Sequence, residues 1–199
     1  MKLILLTFLL LNYSYAKEGT KKSEYKNYSK ATLAGGCFWC METPFEKVNG
    51  VYEVVSGYSG GDEVSPSYKE VASGKTGHRE SVTIYFDPKV ISYEKILEIF
   101  WKQINPTDNG GQFVDRGFQY STAIYYHDKE QLKIAKKSKE ALNKSKRYKS
   151  PVITPIEKFK SFYEAEEYHQ DYYRKNPIRY KYYRWNSGRD QYLETIWDK

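Results

Sequence analysis

The chain is predicted to be an α+β protein: a two-layer sandwich built on a split βαβ (ferredoxin-like) plait, with extra C-terminal helices and loops. Three observations lead there. Apolar residues alternate at Val82, Ile84 and Phe86, the period of a strand with one buried face. Tyr93, Ile96, Leu97, Phe100, Trp101 and Ile104 follow i, i+3, i+4, i+7, i+8 and i+11, the stripe of a helix packed on a core. The elements around them read strand, helix, strand, strand, helix, strand, an order that lays helices on one face of a sheet.

Taken along the chain, Lys2 precedes the apolar run Leu3 to Leu11, and Ser14 and Ala16 supply small side chains three and one residues before a cut. The run is too short for a membrane span, which needs about 20 residues. A cleaved signal peptide over 1–16 is expected, then a flexible lysine-rich leader over 17–30 and one domain over 31–199. Lys30 to Ala34 reads as a strand ending in Gly35-Gly36, and Cys37 to Val48 as a helix closed by Asn49-Gly50. Val51 to Tyr58 is the next strand, stopped by Ser59-Gly60-Gly61. Ser81 to Phe86 follows and ends at Asp87-Pro88. Ser92 caps the helix that carries the stripe. Ser121 to Tyr126 is a strand, Lys129 to Lys146 a lysine-rich helix with a solvated face, Val152 to Ile156 a strand and Phe162 to Lys175 a helix.

With 199 residues, 40% hydrophobic and 29% charged, the chain is neither a disordered tail nor a membrane bundle. Two cysteines exclude a disulfide-stapled scaffold and a Cys-only zinc site. The 21 tyrosines against nine phenylalanines point to an amphipathic surface or cleft. Removing 1–16 takes away only Lys2 and lowers the formal charge from +7 to +6. Export to the periplasm or the extracellular space is expected, as a monomer with no stable membrane insertion after cleavage. A protein in that setting has no nucleic-acid partner, despite its basic balance.

The chemistry begins at Gly35-Gly36-Cys37-Phe38-Trp39-Cys40. A cysteine at a helix N-terminus faces free amide donors, so Cys37 is expected to ionise at lower pH than a free thiol, with a pKa of about 3.5–7.5. Cys40 lies on the same helix face and within disulfide reach. Three readings compete for the pair. Half a zinc site would need ligands from His78, His127 and His169, which lack finger spacing. A structural disulfide would close too small a loop to stabilise much. A redox-active pair is the third, and the bulky apolar residues between the thiols suit a substrate pocket. His78 and His169 read as structural histidines, and Glu80, Tyr68 and Tyr120 taken alone as a solvent-facing carboxylate and packing tyrosines.

Gly-Cys-Phe-Trp, Gly57-Tyr58-Ser59-Gly60-Gly61, Ser67-Tyr68, Thr76-Gly77-His78-Arg79-Glu80 and Asp115-Arg116-Gly117-Phe118-Gln119-Tyr120 together resemble the A-type peptide methionine sulfoxide reductases. The likeness runs in order from about Thr32 to Tyr126, with a weaker echo at Tyr168-His169-Gln170-Asp171-Tyr172. It implies thiol-dependent reduction of methionine sulfoxide, S epimer, in proteins and in free form. By the resemblance Cys37 attacks sulfur and becomes a sulfenic acid, Glu80 donates the proton, and Tyr68 and Tyr120 hold the sulfoxide oxygen. Asp115 holds the polar network, and Phe38 and Trp39 receive the S-methyl group. No cofactor is implied beyond an external thiol reductant, a thioredoxin-like protein or dithiothreitol; the partners are oxidised proteins and peptides.

The chain departs from the resemblance in two places. Many members carry Gly where Cys40 stands and regenerate through a cysteine nearer the C-terminus; here Asn186-Ser187-Gly188-Arg189 has Ser187. The resolving role does not transfer by position, and Cys40 is the only second thiol in the chain. The aromatic-rich tail from Phe162 to Trp197 could cover the site or bind another protein. Two other classes fit part of the pattern. A dithiol–disulfide oxidoreductase would turn over protein disulfides but no sulfoxide, and a basic aromatic binding module would turn over neither.

Overall fold

A computed structural model describes residues 27–197; the expected signal peptide over 1–16, most of the expected leader over 17–30 and the last two residues lie outside the described residues. The elements are β1 (Ser29–Gly35), α1 (Phe38–Glu46), β2 (Val51–Ser59), α2 (Tyr68–Ala72), β3 (Arg79–Phe86), α3 (Tyr93–Trp101), β4 (Gly111–Gln112) and β5 (Asp115–Arg116). A 3-10 turn (Phe118–Tyr120) leads to β6 (Thr122–Tyr126), α4 (Lys129–Lys144), β7 (Ile156–Lys158), β8 (Phe162–Glu164), α5 (Tyr172–Lys175), α6 (Pro177–Asn186) and α7 (Arg189–Trp197). The fold is α+β. Its six-stranded sheet is ordered β7-β6-β1-β3-β2-β8, and β4 and β5 form a separate two-stranded ribbon. Every neighbour pair in the large sheet is antiparallel except β6–β7.

Strand alternation decides which side chains meet the helices. Ala31 and Leu33, Val54 and Tyr58, Val82, Ile84 and Phe86, and Ile124 share one core with Phe38, Met41 and Phe45 of α1 and with the α3 stripe. Their neighbours Ala34, Val55, Ala123 and Tyr125 fall into small clusters on the opposite face. All six stripe residues are buried, and Ser92 caps α3 by accepting from the Lys95 amide. On α4 only Gln131, Ala135 and Leu142 are buried, so its lysines form the solvated face expected of them. Among the described residues no helix is long and apolar enough to cross a membrane.

Two expected elements are displaced. The strand expected at Val152–Ile156 starts only at Ile156, because the preceding backbone is engaged elsewhere. The Val152 amide donates to Asn143 Oδ1 and the Ile153 amide to the Pro106 carbonyl. The helix expected at Phe162–Lys175 is instead β8, a loop and the short α5. Here a free sheet edge outcompetes helix propensity. Gly57 makes the pairing possible: a Cβ there would sit 2.3 Å from the Tyr163 carbonyl oxygen. Past β8 the Gln170 side chain imitates a strand, accepting from the Ser56 amide at 2.9 Å and donating to the Ser56 carbonyl at 2.8 Å.

β3 begins two residues earlier than the alternation alone suggested, bringing Arg79 and Glu80 into the sheet. Glu80 shares parity with Val82, Ile84 and Phe86 and pairs with Tyr58 of β2. A carboxylate is thereby carried onto the helix-covered face, below the start of α1.

Candidate active site

α1 starts at a tight corner. Gly36 has φ +87°, and a Cβ there would lie 2.7 Å from Gln112 Cβ and 2.9 Å from Arg189 Nη2. Gly36→Ala is expected to lower stability by about 1–3 kcal/mol, through left-handed strain and this crowding. A denaturation midpoint within error of wild type would contradict that.

Cys37 is the N-cap residue, 6% exposed, and its carbonyl accepts from the Cys40 and Met41 amides. The next amide, Phe38 N–H, donates to Glu80 Oε2 at 3.0 Å. A free donor at the helix start is thus directed to the carboxyl, while the Cys37 side chain makes no capping hydrogen bond. Glu80 is 2% exposed, and burial raises its pKa to about 8 against the opposing pull of the Phe38 amide. At neutral pH it is a carboxylic acid.

Burial of both thiols works against the ionisation that the helix terminus favours. Burial, then the hydrogen bond to Cys40 and the negative charges of Cys40, Glu80 and Asp115, push the Cys37 thiol well up. The hydrogen bond from Cys37 outweighs burial at Cys40 and, with Arg189 and Arg184, draws that thiol down to about 7. Desolvation opposes the helix terminus at Cys37, and the two buried thiols titrate as one coupled pair.

Tyr68 opens α2 and Tyr120 closes the 3-10 turn. Burial raises the Tyr68 hydroxyl to about 12, with Glu80 and Cys37 adding to it. Tyr120 is pushed further by burial and by Glu80, Tyr68, Asp115 and Cys37. Both remain hydrogen-bond donors throughout the neutral range. Asp115, in β5, is raised by burial, and both its oxygens accept from the Tyr183 hydroxyl at 2.6 Å. All six polar residues expected at the site therefore meet around the N-terminus of α1.

The apolar wall is equally organised. Phe38 is buried, with its ring centroid 6.1 Å from Tyr58, 6.4 Å from Tyr68 and 4.9 Å from His169. Trp39 stacks on Tyr172 at 3.7 Å with a 5° interplanar angle, and Tyr183 meets it edge-on at 5.8 Å. Such pairs contribute about 0.5–1.5 kcal/mol each beyond area burial. The indole N–H donates to His169 Nδ1 at 3.1 Å, so the imidazole proton sits on Nε2, and burial pulls His169 down to about 4. His78 is held in its loop, accepting from the Gly61 amide and bonding the Glu63 carbonyl. Both histidines are thus held by fixed hydrogen-bond partners within the fold.

The tail supplies what sequence reading missed. Glu166 accepts from Tyr58 Oη at 2.7 Å and from the Tyr68 amide at 2.9 Å, fixing the start of α2. Tyr183, Arg184 and Arg189 come from the same region, as does His169, which the sequence already singled out. One signal for Arg184 was available. Pro44 inside α1 has no N–H, so the Cys40 carbonyl loses its helical donor, and Arg184 Nη1 takes it at 3.1 Å. Among the described residues the carboxylate trio close enough to share a metal ion is Glu42, Glu46 and Asp171. Arg174 already pairs there, at 2.6 Å to Glu46 and 3.2 Å to Asp171.

Comparison with known proteins agrees with this geometry. The family model described as peptide methionine sulfoxide reductase matches residues 29–199. The peptide methionine sulfoxide reductase MsrA of Listeria innocua is 54% identical over 172 residues, covering 86% of this chain and 97% of that protein. The MsrA/MsrB protein of Vibrio cholerae is 52% identical over 98% of this chain, which spans 51% of that longer relative. Among solved structures, reduced Mxr1 of Saccharomyces cerevisiae matches at TM-score 0.71 and 34% identity, over 76% of this chain and 87% of that one. Methionine sulfoxide reductase A of Corynebacterium diphtheriae matches at 0.73 and 27%, over 77% of each. Mxr1 has also been solved in complex with Trx2. With the thiol pair, the neutral Glu80 and the two tyrosine hydroxyls converging at one helix start, these matches lead to a single assignment: the chain belongs to the A-type peptide methionine sulfoxide reductase family.

Proposed function

We propose that the chain reduces the S epimer of methionine sulfoxide at the N-terminus of α1, with Cys37 as nucleophile and Glu80 as proton donor. The observation that carries this is Glu80, a buried carboxyl neutral up to about pH 8 and tied by the Phe38 amide to the residue after Cys37. A sulfoxide oxygen leaves sulfur only as its proton arrives, and a neutral buried acid supplies it. Tyr68 and Tyr120 donate to that oxygen as its negative charge grows. Phe38 and Trp39 offer the apolar surface for the S-methyl group, and Asp115 with Tyr183 steadies the polar side.

The steps balance with the groups present. Cys37 hands its proton to Cys40 along the hydrogen bond joining them, and its sulfur attacks the substrate sulfoxide. The S–O bond of the substrate breaks as the oxygen forms its bond to the Cys37 sulfur; methionine departs, and the transferred oxygen, protonated by Glu80, is the hydroxyl of a Cys37 sulfenic acid. Cys40 then displaces that oxygen as water, leaving a Cys37–Cys40 disulfide. A thioredoxin-like dithiol reduces it by exchange; the Mxr1–Trx2 complex supports that class of donor. The neighbour order β6-β1-β3-β2 supports reading the core as a split βαβ plait. The apolar run and small residues before Lys17 support export from the cytoplasm.

Steady-state turnover of the two epimers of a methionine sulfoxide peptide with dithiothreitol tests the reading. Turnover of the S epimer alone is expected. Equal rates on both, or none on either, would overturn it.

A further inference from the structure

Between β8 and α5 the tail makes a tight turn from Glu166 to His169, closed by the His169 amide donating to the Glu166 carbonyl at 2.8 Å. The next residue, Gln170, bonds both backbone groups of Ser56 in β2, so the turn is fixed to the sheet. Its two ends serve different parts of the site. At one, the Glu166 carboxylate accepts from the Tyr68 amide and holds the backbone of a tyrosine that faces the sulfoxide oxygen. At the other, His169 Nδ1 accepts from the Trp39 indole at 3.1 Å. The imidazole is 1% exposed and lies among the rings of Phe38, Trp39, Tyr68 and Tyr168, at centroid distances of 4.9, 5.7, 4.3 and 4.1 Å.

We infer that His169 is a specificity-determining positioning residue: by holding Trp39 in register with Tyr68, it sets the spacing between the surface for the S-methyl group and the donor for the sulfoxide oxygen. Two features carry this. The first is the way Trp39 is held. Its stack on Tyr172 is nearly parallel, at 5°, and such a stack fixes the plane of the indole while leaving it free to slide within that plane. The contacts with Tyr183 and Phe38 are ring contacts too, at 5.8 and 6.4 Å. The N–H bond to His169 is directional and runs in the plane of the indole, so it fixes the freedom that stacking leaves.

The second feature is the other imidazole nitrogen. The indole only donates, so the ring proton sits on Nε2, and Nε2 is buried without a partner. A buried N–H left unpaired costs stability, so packing alone would favour an apolar side chain of similar size. What histidine supplies here and leucine cannot is the acceptor for Trp39. Burial, which pulls the imidazole down to about 4, keeps Nδ1 free to accept at neutral pH.

The inference rests on the proposed function and concerns how its substrate is gripped. A sulfoxide sulfur carries oxygen and methyl at a fixed angle, so a donor for one and a wall for the other recognise it only at a held spacing. His169 touches no reacting atom and acts through Trp39.

The test is a series of single turnovers of the full chain on an S-sulfoxide peptide at varied peptide concentration, which separates the half-saturating concentration from the limiting rate. His169→Leu should raise the half-saturating concentration about tenfold and leave the limiting rate within about threefold, because the binding it removes is common to ground and transition states. His169→Asn, whose Oδ1 stands where Nδ1 does, should recover most of that loss. In a Trp39→Phe background, which has no indole N–H to hold, His169→Leu should add less than about twofold. Three results would each overturn the inference: an unmoved half-saturating concentration in His169→Leu, an equal loss in His169→Asn, or the full further rise in the Trp39→Phe background. If His169→Leu does not fold, His169→Phe, which keeps a ring among the same neighbours, carries the test: a rise supports the inference and none refutes it. Failure of wild type to release methionine at any peptide concentration would instead refute the proposed function.

Discussion

Glu80→Gln should slow sulfenic acid formation by about 10²–10⁴-fold at pH 7, a loss of about 3–5 kcal/mol of transition-state stabilisation. Glutamine keeps the shape and can still accept from the Phe38 amide, so the corner of α1 is preserved. It cannot deliver a proton. The pH profile gives an independent readout. A carboxyl raised to about 8 by burial is protonated below that value and loses its proton above it, so wild-type single-turnover rates should fall as pH rises through about 8. In Glu80→Gln the remaining slow rate should lack that alkaline limb. Single turnovers at wild-type speed, or a limb that persists unchanged in the variant, would mean that another group is the acid.

Glu80 also shows how far a sequence can be read physically. Its parity with Val82, Ile84 and Phe86 already placed it on the buried face, had β3 been extended two residues. The central strands, α1 and the α3 stripe were legible because each is fixed by local periodicity and a local stop such as Asn49-Gly50 or Asp87-Pro88. The region after Pro151 was not. Whether Phe162–Glu164 becomes a strand depends on Gly57, a hundred residues earlier, leaving an edge open to it. The same long-range logic hid Tyr183 and Glu166, whose partners Asp115 and Tyr58 lie far away in sequence. The residues of the site were legible, but their ionisation was not. A helix start favours a thiolate at Cys37; burial and the neighbouring thiol push that group the other way, which only packing reveals.

The hydrogen-bonded coupling of the two buried thiols bears on what separate replacement of each should show. Cys37→Ser should abolish methionine release altogether, because a buried hydroxyl with a pKa far above that of a thiol is no nucleophile toward sulfur at neutral pH. Cys40→Ser should still release about one equivalent of methionine per enzyme, since the sulfur that takes the oxygen is intact. The release should be slower at pH 7 than in wild type, as the serine hydroxyl cannot accept the Cys37 proton. Recycling by a thioredoxin-like protein should be lost, because no intramolecular disulfide forms for it to attack. Disulfide closure is geometrically accessible: Cys37 caps the helix that contains Cys40, and the Cys40 amide already donates to the Cys37 carbonyl at 3.0 Å. Mass spectrometry after one turnover without added reductant separates the outcomes. Wild type should be two hydrogens lighter than the dithiol, and Cys40→Ser should carry a sulfenic acid that dimedone traps. Trapping in wild type, together with undiminished recycling by Cys40→Ser, would leave Cys40 without a part in regeneration and require an external thiol to attack Cys37 directly.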